Sequence, residues 1–411
     1  MNMANWRDVP LKRIVTSIQS GTSVNGAPWP VQGDELGVLK TSAVYGGVFR
    51  PAENKQVDSY DIDRVSCPVL AGSLIVSRMN TKQHLASAAA VLQDYPNLYL
   101  PDRLWAVTFH GADPRFIDWW TKTPAYRTQV EAVCVGTSSS MQNISQGDFL
   151  GLRIALPDPE TQRSIADHLD HETARIDTLI EEQQCLIEML RERRQAVVDA
   201  AFADLGEPRV QLRRYIKFLT SGSRGWGDYY ADDGERFLRI GNLPRTNLSI
   251  RGGVQFVSLP ADVTEGSRTM LEAGDLLFSI TAYLGSVAVV DSDWVGSYVS
   301  QHVALCRLDS GRLDSRFAGW FMLTTTGQDQ LKQEAAGGAK IQLALDDIKG
   351  LRVPTASITE QHRIAIHLDE QTAKIDVLIA ETQRLIELAR ERRSALITAA
   401  VTGQIDVREA A

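Results

Sequence analysis

The stretch that decides the fold runs from Pro159 to Ala201 and reads PETQRSIADHLDHETARIDTLIEEQQCLIEMLRERRQAVVDAA. It occurs again at residues 358–400, as ITEQHRIAIHLDEQTAKIDVLIAETQRLIELARERRSALITAA, and the two copies align without a gap. The offset is constant: Gly350 minus Gly151, for example, is 199. A repeat of this length sets the organisation of the whole chain and has to be interpreted before any local motif.

Apolar residues recur along both copies at steps of three and four, which is typical of a coiled-coil seam. The predicted seam consists of Ile165, Leu169, Ile176, Leu179, Leu186 and Leu190 in the first copy and Ile364, Leu368, Ile375, Leu378 and Leu385 in the second. At about 1.5 Å per residue each helix would be roughly 60 Å long, which indicates a spacer. Four isoleucines widen the apolar stripe, so each helix has a second surface to cover: Ile180, Ile187, Ile379 and Ile386.

Composition is that of a globular protein with more than one core, since the chain has 411 residues, of which 44% are hydrophobic and 23% charged. No signal peptide and no apolar run of membrane-spanning length can be recognised, so we expect a cytoplasmic protein without a membrane partner. The four cysteines form no CxxC pair, which disfavours a zinc site and a disulfide framework. We expect reduced thiols.

The net charge of −8 is unevenly distributed along the chain. Residues 151–204 hold 6 Lys or Arg against 12 Asp or Glu, whereas residues 1–150 hold 13 of each kind and residues 205–349 hold 16 against 17. The two globular segments are therefore close to neutral, and each can carry a basic face for nucleic acid beside an acidic one.

The globular segments, residues 1–157 and 205–356, repeat one order of elements. The strand candidates of the first are Gly37–Val44, Ser73–Met79 and Leu104–His110, and those of the second are Phe237–Leu243, Gly274–Ser279 and His302–Leu308. A helix follows in each, from Pro114 and from Asp314, and Pro124 is expected to break or kink the first of them. The side chains of the two segments differ widely, which suggests one scaffold with two different readers.

A search for catalytic chemistry finds no phosphate-binding loop, no dinucleotide fingerprint, no HExxH and no GxSxG. We therefore expect no catalytic residue, no cofactor and no metal. The Glu53-Asn54-Lys55 triplet resembles the metal-binding part of some nucleases, but a solvated loop is the simpler interpretation. His168 and His171 could hold a metal, although a helix contact is favoured because position 370 of the second copy is Glu. The arginine runs at 191–194 and 390–393 could touch phosphates or lie on a solvated helix face.

The repeat resembles the specificity subunit of type I restriction-modification systems. The resemblance rests on the duplicated helices, on PDPETQ at Pro157–Gln162, on the Ile-Asp-x-Leu-Ile cores at Ile176–Ile180 and Ile375–Ile379, and on VTGQID at Val401–Asp406. It covers essentially the whole chain. One departure is the start of the second helix, Pro354–Gln361, which lacks the paired prolines of the first.

This resemblance implies an α+β fold in which two tandem target recognition domains, each a mixed β-sheet with helices, are each followed by a long α-helix. The helices would form an antiparallel coiled coil with pseudo-twofold symmetry. The implied boundaries are 1–157 for the first recognition domain, 158–204 for the first spacer helix, 205–356 for the second domain, and 357–411 for the second helix and tail. The implied partners are double-stranded DNA, two methyltransferase (modification) subunits, and the restriction subunits of the full complex.

In this family each recognition domain would read one half of a bipartite, asymmetric target, while the helices set the gap and dock the methyltransferase subunits. Arg and Lys recognise guanine and Asn and Gln recognise adenine, so such residues near loops and strand ends are the candidate DNA contacts. In the first domain they are Lys40, Thr41, Arg78, Asn80, Lys82, Ser139 and Gln142, and in the second Arg239, Asn242, Tyr283, Gln301, Lys340 and Gln342.

Two other functions compete with this hypothesis. A coiled-coil scaffold that organises a protein assembly without binding DNA would need the same long helices. A standalone nuclease would depend on the Glu53-Asn54-Lys55 triplet alone. A footprint with two short protected tracts separated by a gap would favour the specificity subunit over the scaffold.

Overall fold

The computed structural model describes residues 6–138, 141–260, 264–281, 284–335 and 342–407. The chain divides into two compact units. The first unit comprises Met1–Glu182 and Leu385–Ala411, and the second unit comprises Gln183–Arg384. Each unit therefore combines one globular region with parts of both long helices.

The strands of the first unit follow one another along the chain between residues 7 and 156. They are β1 (Arg7–Pro10), β2 (Val15–Ser20), β3 (Gly37–Leu39), β4 (Asn54–Gln56), β5 (Pro68–Val69), β6 (Leu74–Ser77), β7 (Met79–Asn80), β8 (Ala88–Ala90), β9 (Tyr95–Tyr99), β10 (Leu104–Phe109), β11 (Val135–Ser138), β12 (Met141–Asn143) and β13 (Arg153–Leu156). The helices from here to the second globular region are α1 (Pro114–Thr121), α2 (Pro124–Val133), α3 (Gln146–Gly151) and the long α4 (Pro159–Ala203).

The second unit repeats this order with fewer strands among its described residues. They are β14 (Val210–Gln211), β15 (Ile216–Ser221), β16 (Tyr230–Ala231), β17 (Glu235–Leu238), β18 (Gln255–Val257), β19 (Leu276–Ser279), β20 (Val287–Val289), β21 (Tyr298–Val299), β22 (Val303–Leu308) and β23 (Arg352–Val353). The helices that follow are α5 (Ser315–Met322), α6 (Thr325–Ala335), α7 (Leu345–Gly350) and the long α8 (Ile358–Val401).

The sheets show that the globular regions share one topology. The antiparallel sheet β2-β10-β6-β8 of the first unit corresponds to β15-β22-β19-β20 of the second, and the pair β1-β13 corresponds to β14-β23. Each unit also has a mixed sheet, in which β3 lies parallel to β9 and antiparallel to β4, and β17 lies parallel to β21 and antiparallel to β18. Mixed sheets packed with helices confirm the predicted α+β class.

Within each unit the two long helices run antiparallel. In the first unit Ile165 and Leu169 of α4 share a hydrophobic core with Ile397 and Val401 of α8, and further along α4 Asp177 pairs with Arg393, which lies earlier in α8. In the second unit Arg194 of α4 pairs with Asp376 of α8, and Phe202 of α4 shares a core with Ile364 of α8. Burying these side chains stabilises the helix pairs, at about 1.5–3 kcal/mol for each large apolar residue.

The buried stripe of the helices differs in register from the predicted seam. Ile165, Leu169, Ile176, Leu190, Ile364, Leu368 and Ile375 are buried, whereas Leu179, Leu378 and Leu385 are 36%, 47% and 42% exposed and Leu186 is partly exposed. Ile187 and Ile386 are buried instead, together with Thr173 and Thr372. The sequence pattern allowed both registers because leucine precedes isoleucine at these places, and the threonines were not counted as seam residues.

Two local predictions have different outcomes. Pro124 does break the predicted helix: α1 ends at Thr121, and Pro124 begins α2 with Thr123 as its N-cap. The strand predicted for Gly37–Val44 ends at Leu39, and a 3₁₀-helix follows at Thr41–Gly47. The chain leaves the sheet at Lys40, whose carbonyl accepts from the Ala43 N–H at 3.1 Å and so begins the 3₁₀-helix despite the β-branched residues. Gly46 and Gly47 end this helix with φ of 72° and 69°, a left-handed backbone that glycine adopts readily.

Two further properties concern possible membranes and metals. Among the described helices, none has a segment with the length and hydropathy that a membrane span requires. Across the described ranges, no three His, Cys, Asp or Glu side chains gather in a way that could hold a metal ion.

Candidate nucleic-acid interface

In the first unit the fold gathers predicted DNA-contact residues at one edge of the mixed sheet. Lys40 and Thr41 follow β3, whose carboxyl end lies beside that of the parallel strand β9. Thr41 lines a cleft that also contains Asp102, and the Arg78 Nε donates a hydrogen bond of 2.8 Å to the Asp102 carbonyl. Asn80 follows Arg78 closely and pairs with Gln142 across β7 and β12.

Tyr45 connects these residues. Its hydroxyl lies 3.2 Å from Thr41 Oγ1 and accepts a hydrogen bond of 2.8 Å from the Asn80 side-chain amide. Its ring stacks on His84, with centroids 3.9 Å apart and planes inclined by 6°. We call Thr41, Tyr45, Arg78, Asn80 and Gln142 the first edge cluster. It combines a guanidinium, two amides, two hydroxyls and an aromatic face, which are the groups that proteins use against bases and phosphates.

The remaining predicted contacts of the first unit are less closely tied to this cluster. Lys40 is partly buried, and its backbone N–H donates to the Glu53 carbonyl at 2.9 Å. Lys82 is exposed, with its ammonium 3.9 Å from a Glu131 carboxylate oxygen. Ser139 lies outside the described residues.

The second unit has a corresponding edge. Arg239 follows β17 and Gln301 comes two residues after the parallel strand β21, and the backbone joins them because the Ser300 N–H donates to the Leu238 carbonyl at 2.9 Å. The Arg239 side chain is exposed. Thr281 Oγ1 lies 3.1 Å from His302 Nδ1 at the same place. We call Arg239, Thr281, Gln301 and His302 the second edge cluster.

Asn242 lies inside the fold rather than at the surface. It is 5% exposed, its side-chain amide donates to the Arg251 carbonyl at 2.7 Å, and its Oδ1 accepts from the Arg239 backbone N–H at 2.9 Å. These bonds hold the turn that presents Arg239. Gln342 is exposed, and Tyr283 and Lys340 lie outside the described residues.

The Glu53-Asn54-Lys55 triplet has a structural environment. Asn54 is 3% exposed and its Oδ1 accepts from the Val31 backbone N–H at 2.8 Å, while the Lys55 ammonium donates to the Val24 carbonyl at 2.8 Å. Glu53 accepts from the Ser42 hydroxyl at 2.7 Å. The triplet is thus tied into the sheet, and neither the solvated loop nor the nuclease site describes it.

Cys306 is the fully buried thiol among the four cysteines, and none of them is in a disulfide. Burial raises the pKa of Cys306 to about 12, so the thiol stays protonated and unreactive at neutral pH.

Each globular region is fixed to the long helices by a buried glutamine at the start of the helix. Gln162 is 0% and Gln361 is 3% exposed. Gln162 Oε1 accepts from the Asp113 backbone N–H at 2.8 Å and its amide donates to the Pro157 carbonyl at 2.7 Å. Gln361 makes the same two bonds, at 2.8 Å from the Asp314 N–H and 2.9 Å to the Ala356 carbonyl.

A tryptophan adds a second fixed point in each unit. Trp119 of α1 donates from Nε1 to Asp170 of α4 at 2.9 Å, and Trp320 of α5 donates in the same way to Asp369 of α8 at 2.9 Å. Both pairs are related by the repeat, since Asp369 minus Asp170 is 199. The edge clusters are therefore carried on bodies whose attachment to the helices is well defined.

Sequence reasoning found part of these clusters and missed the rest. Arg78, Asn80, Gln142, Arg239 and Gln301 could be nominated because their side-chain types match base edges. Tyr45, His84 and His302 were missed because their positions depend on tertiary packing, and no local pattern marks them. As DNA contacts, all the nominated residues stay predictions.

Comparison with known proteins points to one kind of protein. The family model described as the type I restriction modification DNA specificity domain matches residues 262–388. The specificity subunit of the type I restriction enzyme StySPI of Salmonella potsdam is 21% identical over 431 residues, covering 97% of this chain and 89% of that protein. The specificity subunit of the Escherichia coli enzyme EcoDI is 22% identical, covering 66% of each.

Solved structures share the fold. The HsdS subunit from Thermoanaerobacter tengcongensis superposes with a TM-score of 0.59 at 17% identity, covering 98% of both chains. A chain from a structural study of complex assembly and conformational transition in the type I R-M system gives a TM-score of 0.68 at 16% identity, covering 97% of this chain and 98% of that one.

Proposed function

We infer that this chain, which belongs to the specificity subunits of type I restriction-modification systems, recognises the DNA target of such a system. The observation that carries the proposal is the presence, in two units of one topology, of a sheet edge with different base-recognising groups. A scaffold protein would have no need for two such edges. The comparisons favour the specificity subunit over the scaffold.

Each edge cluster would read one half of a bipartite target. The first offers Arg78, Asn80 and Gln142, and the second offers Arg239 and Gln301. Arginine pairs with guanine and the amides pair with adenine in the major groove, so two different clusters fit an asymmetric target. We propose residues 1–157 and 205–356 as the two recognition domains, with 158–204 and 357–411 as the spacer helices and tail.

The helices would set the gap and hold the methyltransferase subunits. Several apolar side chains on their outer faces are about half exposed, which is unusual for a helix without a partner; they include Met189 (54%), Ile366 (53%), Val377 (55%), Leu378 (47%) and Leu388 (45%). We propose that two methyltransferase subunits cover such surfaces and that the restriction subunits join the full complex. Methyl transfer and cleavage would then lie in those subunits, and this chain would be non-catalytic and act in the cytoplasm, where the DNA is.

A footprint of the complex with its methyltransferase subunits tests the proposal directly. We expect two short protected tracts separated by an unprotected gap on the cognate duplex. Protection of no tract would favour the scaffold, and a single continuous tract would contradict the bipartite target.

Unit-specific variants make the test sharper. Arg239→Ala should weaken binding of the cognate duplex by about 1–3 kcal/mol if Arg239 reads a base, and should relax the sequence requirement in one half-site alone. Asn80→Ala should relax the other half-site. Arg213→Ala, an exposed arginine outside the second edge cluster, is the charge-matched control and should keep both requirements. Titration at fixed salt against duplexes with single base changes measures these effects. Equal affinity of Arg239→Ala and wild type would remove Arg239 from the interface.

A further inference from the structure

Arg194 occupies an unusual place for an arginine of a long helix. It is 6% exposed, near the end of α4 in the second unit. Its Nε donates to Asp376 Oδ1 of α8 at 2.8 Å and its Nη2 donates to Oδ2 at 3.3 Å. Its guanidinium lies 5.8 Å from the ring centroid of Trp320, which belongs to the globular region. Arg194 therefore links its own helix α4 to two other elements, α8 and α5.

Arg393 occupies the corresponding place in the first unit, in a more exposed ion pair: the side chains of Arg393 and Asp177 are 29% and 48% exposed. Its Nε lies 2.9 Å from Asp177 Oδ1 and its Nη2 donates to Oδ2 at 3.1 Å. Its guanidinium lies 6.0 Å from the ring centroid of Trp119. The two arrangements correspond residue by residue, because Arg393 minus Arg194 and Asp376 minus Asp177 are both 199.

In each unit the arginine comes from one long helix, and its aspartate comes from the other. The tryptophan comes from the globular region and is itself bonded to a second aspartate of that other helix, Asp170 or Asp369. A planar guanidinium with a carboxylate on its fork and an aromatic ring at its face has few alternative orientations. The angle between the globular region and the helix pair is thereby constrained from three sides.

Ordinary stabilisation is a weak explanation for this cluster. In the second unit Arg194 is 8% exposed beside an aspartate that is 35% exposed, and replacing a pair with one such buried partner by apolar residues is often neutral for stability or better. The more exposed pair of Arg393 and Asp177 is expected to contribute only about 0–1 kcal/mol. The apolar stripe beside it already holds the helices together. Defined geometry is the property that the arginine adds.

We propose that Arg194 and Arg393 are positioning residues that fix the angle of each recognition domain on the helix pair and so determine which gap between half-sites is accepted. This inference rests on the proposed function. Duplex DNA makes a turn in 10–10.5 base pairs, so one base pair added to the gap rotates the second half-site by about 35°. A reader whose angle is free would tolerate that rotation, whereas a reader whose angle is fixed would reject it.

The test uses the full complex with its methyltransferase subunits and a set of duplexes that carry both half-sites at gaps from two base pairs shorter to two base pairs longer than the native gap. Wild type, Arg194→Met, Arg194→Lys and the control Arg191→Met are compared for binding and for methylation. Arg191 is the matched control because its side chain is 53% exposed and pairs with Glu188 of its own helix. A duplex with a single half-site measures base reading separately.

We expect wild type and Arg191→Met to discriminate strongly against a gap that is wrong by one base pair. Arg194→Met should lose about ten-fold of that discrimination while binding a single half-site within about two-fold of wild type. Arg194→Lys keeps the charge without the fork and should fall between the two.

Unchanged gap discrimination in Arg194→Met would overturn the inference, whatever the effect on stability. Wild type without any gap preference, or without sequence-specific binding, would instead overturn the proposed function. Should Arg194→Met fail to fold, Arg393→Met provides the same test, since the Arg393 side chain is 29% exposed against 8% for Arg194 and its loss disturbs packing less.

Discussion

The two units are alike where they meet the long helices and different at the edges that are proposed to read DNA. The junction set of the first unit is Trp119, Gln162, Asp170 and Arg393, and that of the second is Trp320, Gln361, Asp369 and Arg194. Residue types are the same in both, and the tryptophan and glutamine hydrogen bonds correspond, whereas the arginine of the first unit lies in a more exposed ion pair. At the edges, by contrast, Tyr45 and Asn80 have no counterpart of the same kind among Arg239, Gln301 and His302.

This contrast shows which interactions constrain the chain. A junction must place a whole domain, and a buried amide or indole has few substitutes that satisfy the same backbone groups. An edge, on the proposed function, would need to match only its own half of the DNA target. The comparison predicts matched effects at the junctions and unmatched effects at positions where the units differ.

The largest expected loss of stability comes from removing the tryptophans. Trp320→Ala should lower the free energy of unfolding of the second unit by about 3–5 kcal/mol, because a side chain 1% exposed leaves a cavity and Asp369 loses its donor. Trp119→Ala, 6% exposed, should do the same in the first unit. Hydrogen exchange resolved by peptide reports the opening free energy of each unit. A small effect of one variant beside a large effect of the other would break the equivalence of the junctions.

Asp118 lies at a position where the units differ, and it should make the stability of the first unit alone depend on pH. Burial raises the pKa of Asp118 in α1 to about 6, against the favourable Lys122 ammonium 3.1 Å away, and Asp170 adds to the increase. The corresponding position in α5 is Gly319, since Trp320 minus Trp119 is 201 and each tryptophan follows the residue in question.

The direction in which stability changes with pH follows from the proton that Asp118 binds. The folded state retains the Asp118 proton above the pKa of 3.8 for the unfolded chain, so the stability that the neutral acid provides is complete below pH 3.8 and is lost as pH rises to about 6. Asp118→Asn should therefore gain about 3 kcal/mol relative to wild type between pH 4 and pH 7. Urea unfolding followed by circular dichroism measures this difference, and a pH-independent difference would show that Asp118 is ionised in the fold.

The smallest expected loss of stability comes from replacing the glutamines. Gln162→Leu and Gln361→Leu each leave a buried backbone N–H without its acceptor, and each should cost about 1–3 kcal/mol of unfolding free energy. Gln184→Leu, at an exposed position of α4, is the control and should stay within about 0.5 kcal/mol of wild type. Similar losses in both units would sharpen the comparison. A loss in one unit alone would mean that equal hydrogen bonds do not have equal energetic weight.

Sequence was a good guide wherever repetition or a backbone rule applies. The offset of 199 led to the two-unit α+β architecture, and Pro124 located the break between α1 and α2. The predictions failed where two apolar residues stand side by side, as at Leu378 and Ile379, because the register of a helix is settled by three-dimensional packing. Edge residues could be nominated by chemistry, but Tyr45 reaches Asn80 over 35 positions of sequence, and only folding brings the two together.

The duplicated junction has a consequence for how such a protein can acquire new targets. The tryptophan of either domain meets an aspartate and an arginine of the helices, and a helix glutamine binds the backbone of the same domain, at equivalent places in both units. A domain exchanged by recombination would therefore meet an attachment site already complementary to it. The helices carry the residues that hold each domain, and the domains carry the residues that are proposed to read DNA. A new target sequence could then be acquired without any change in the residues that attach the domain to the helices.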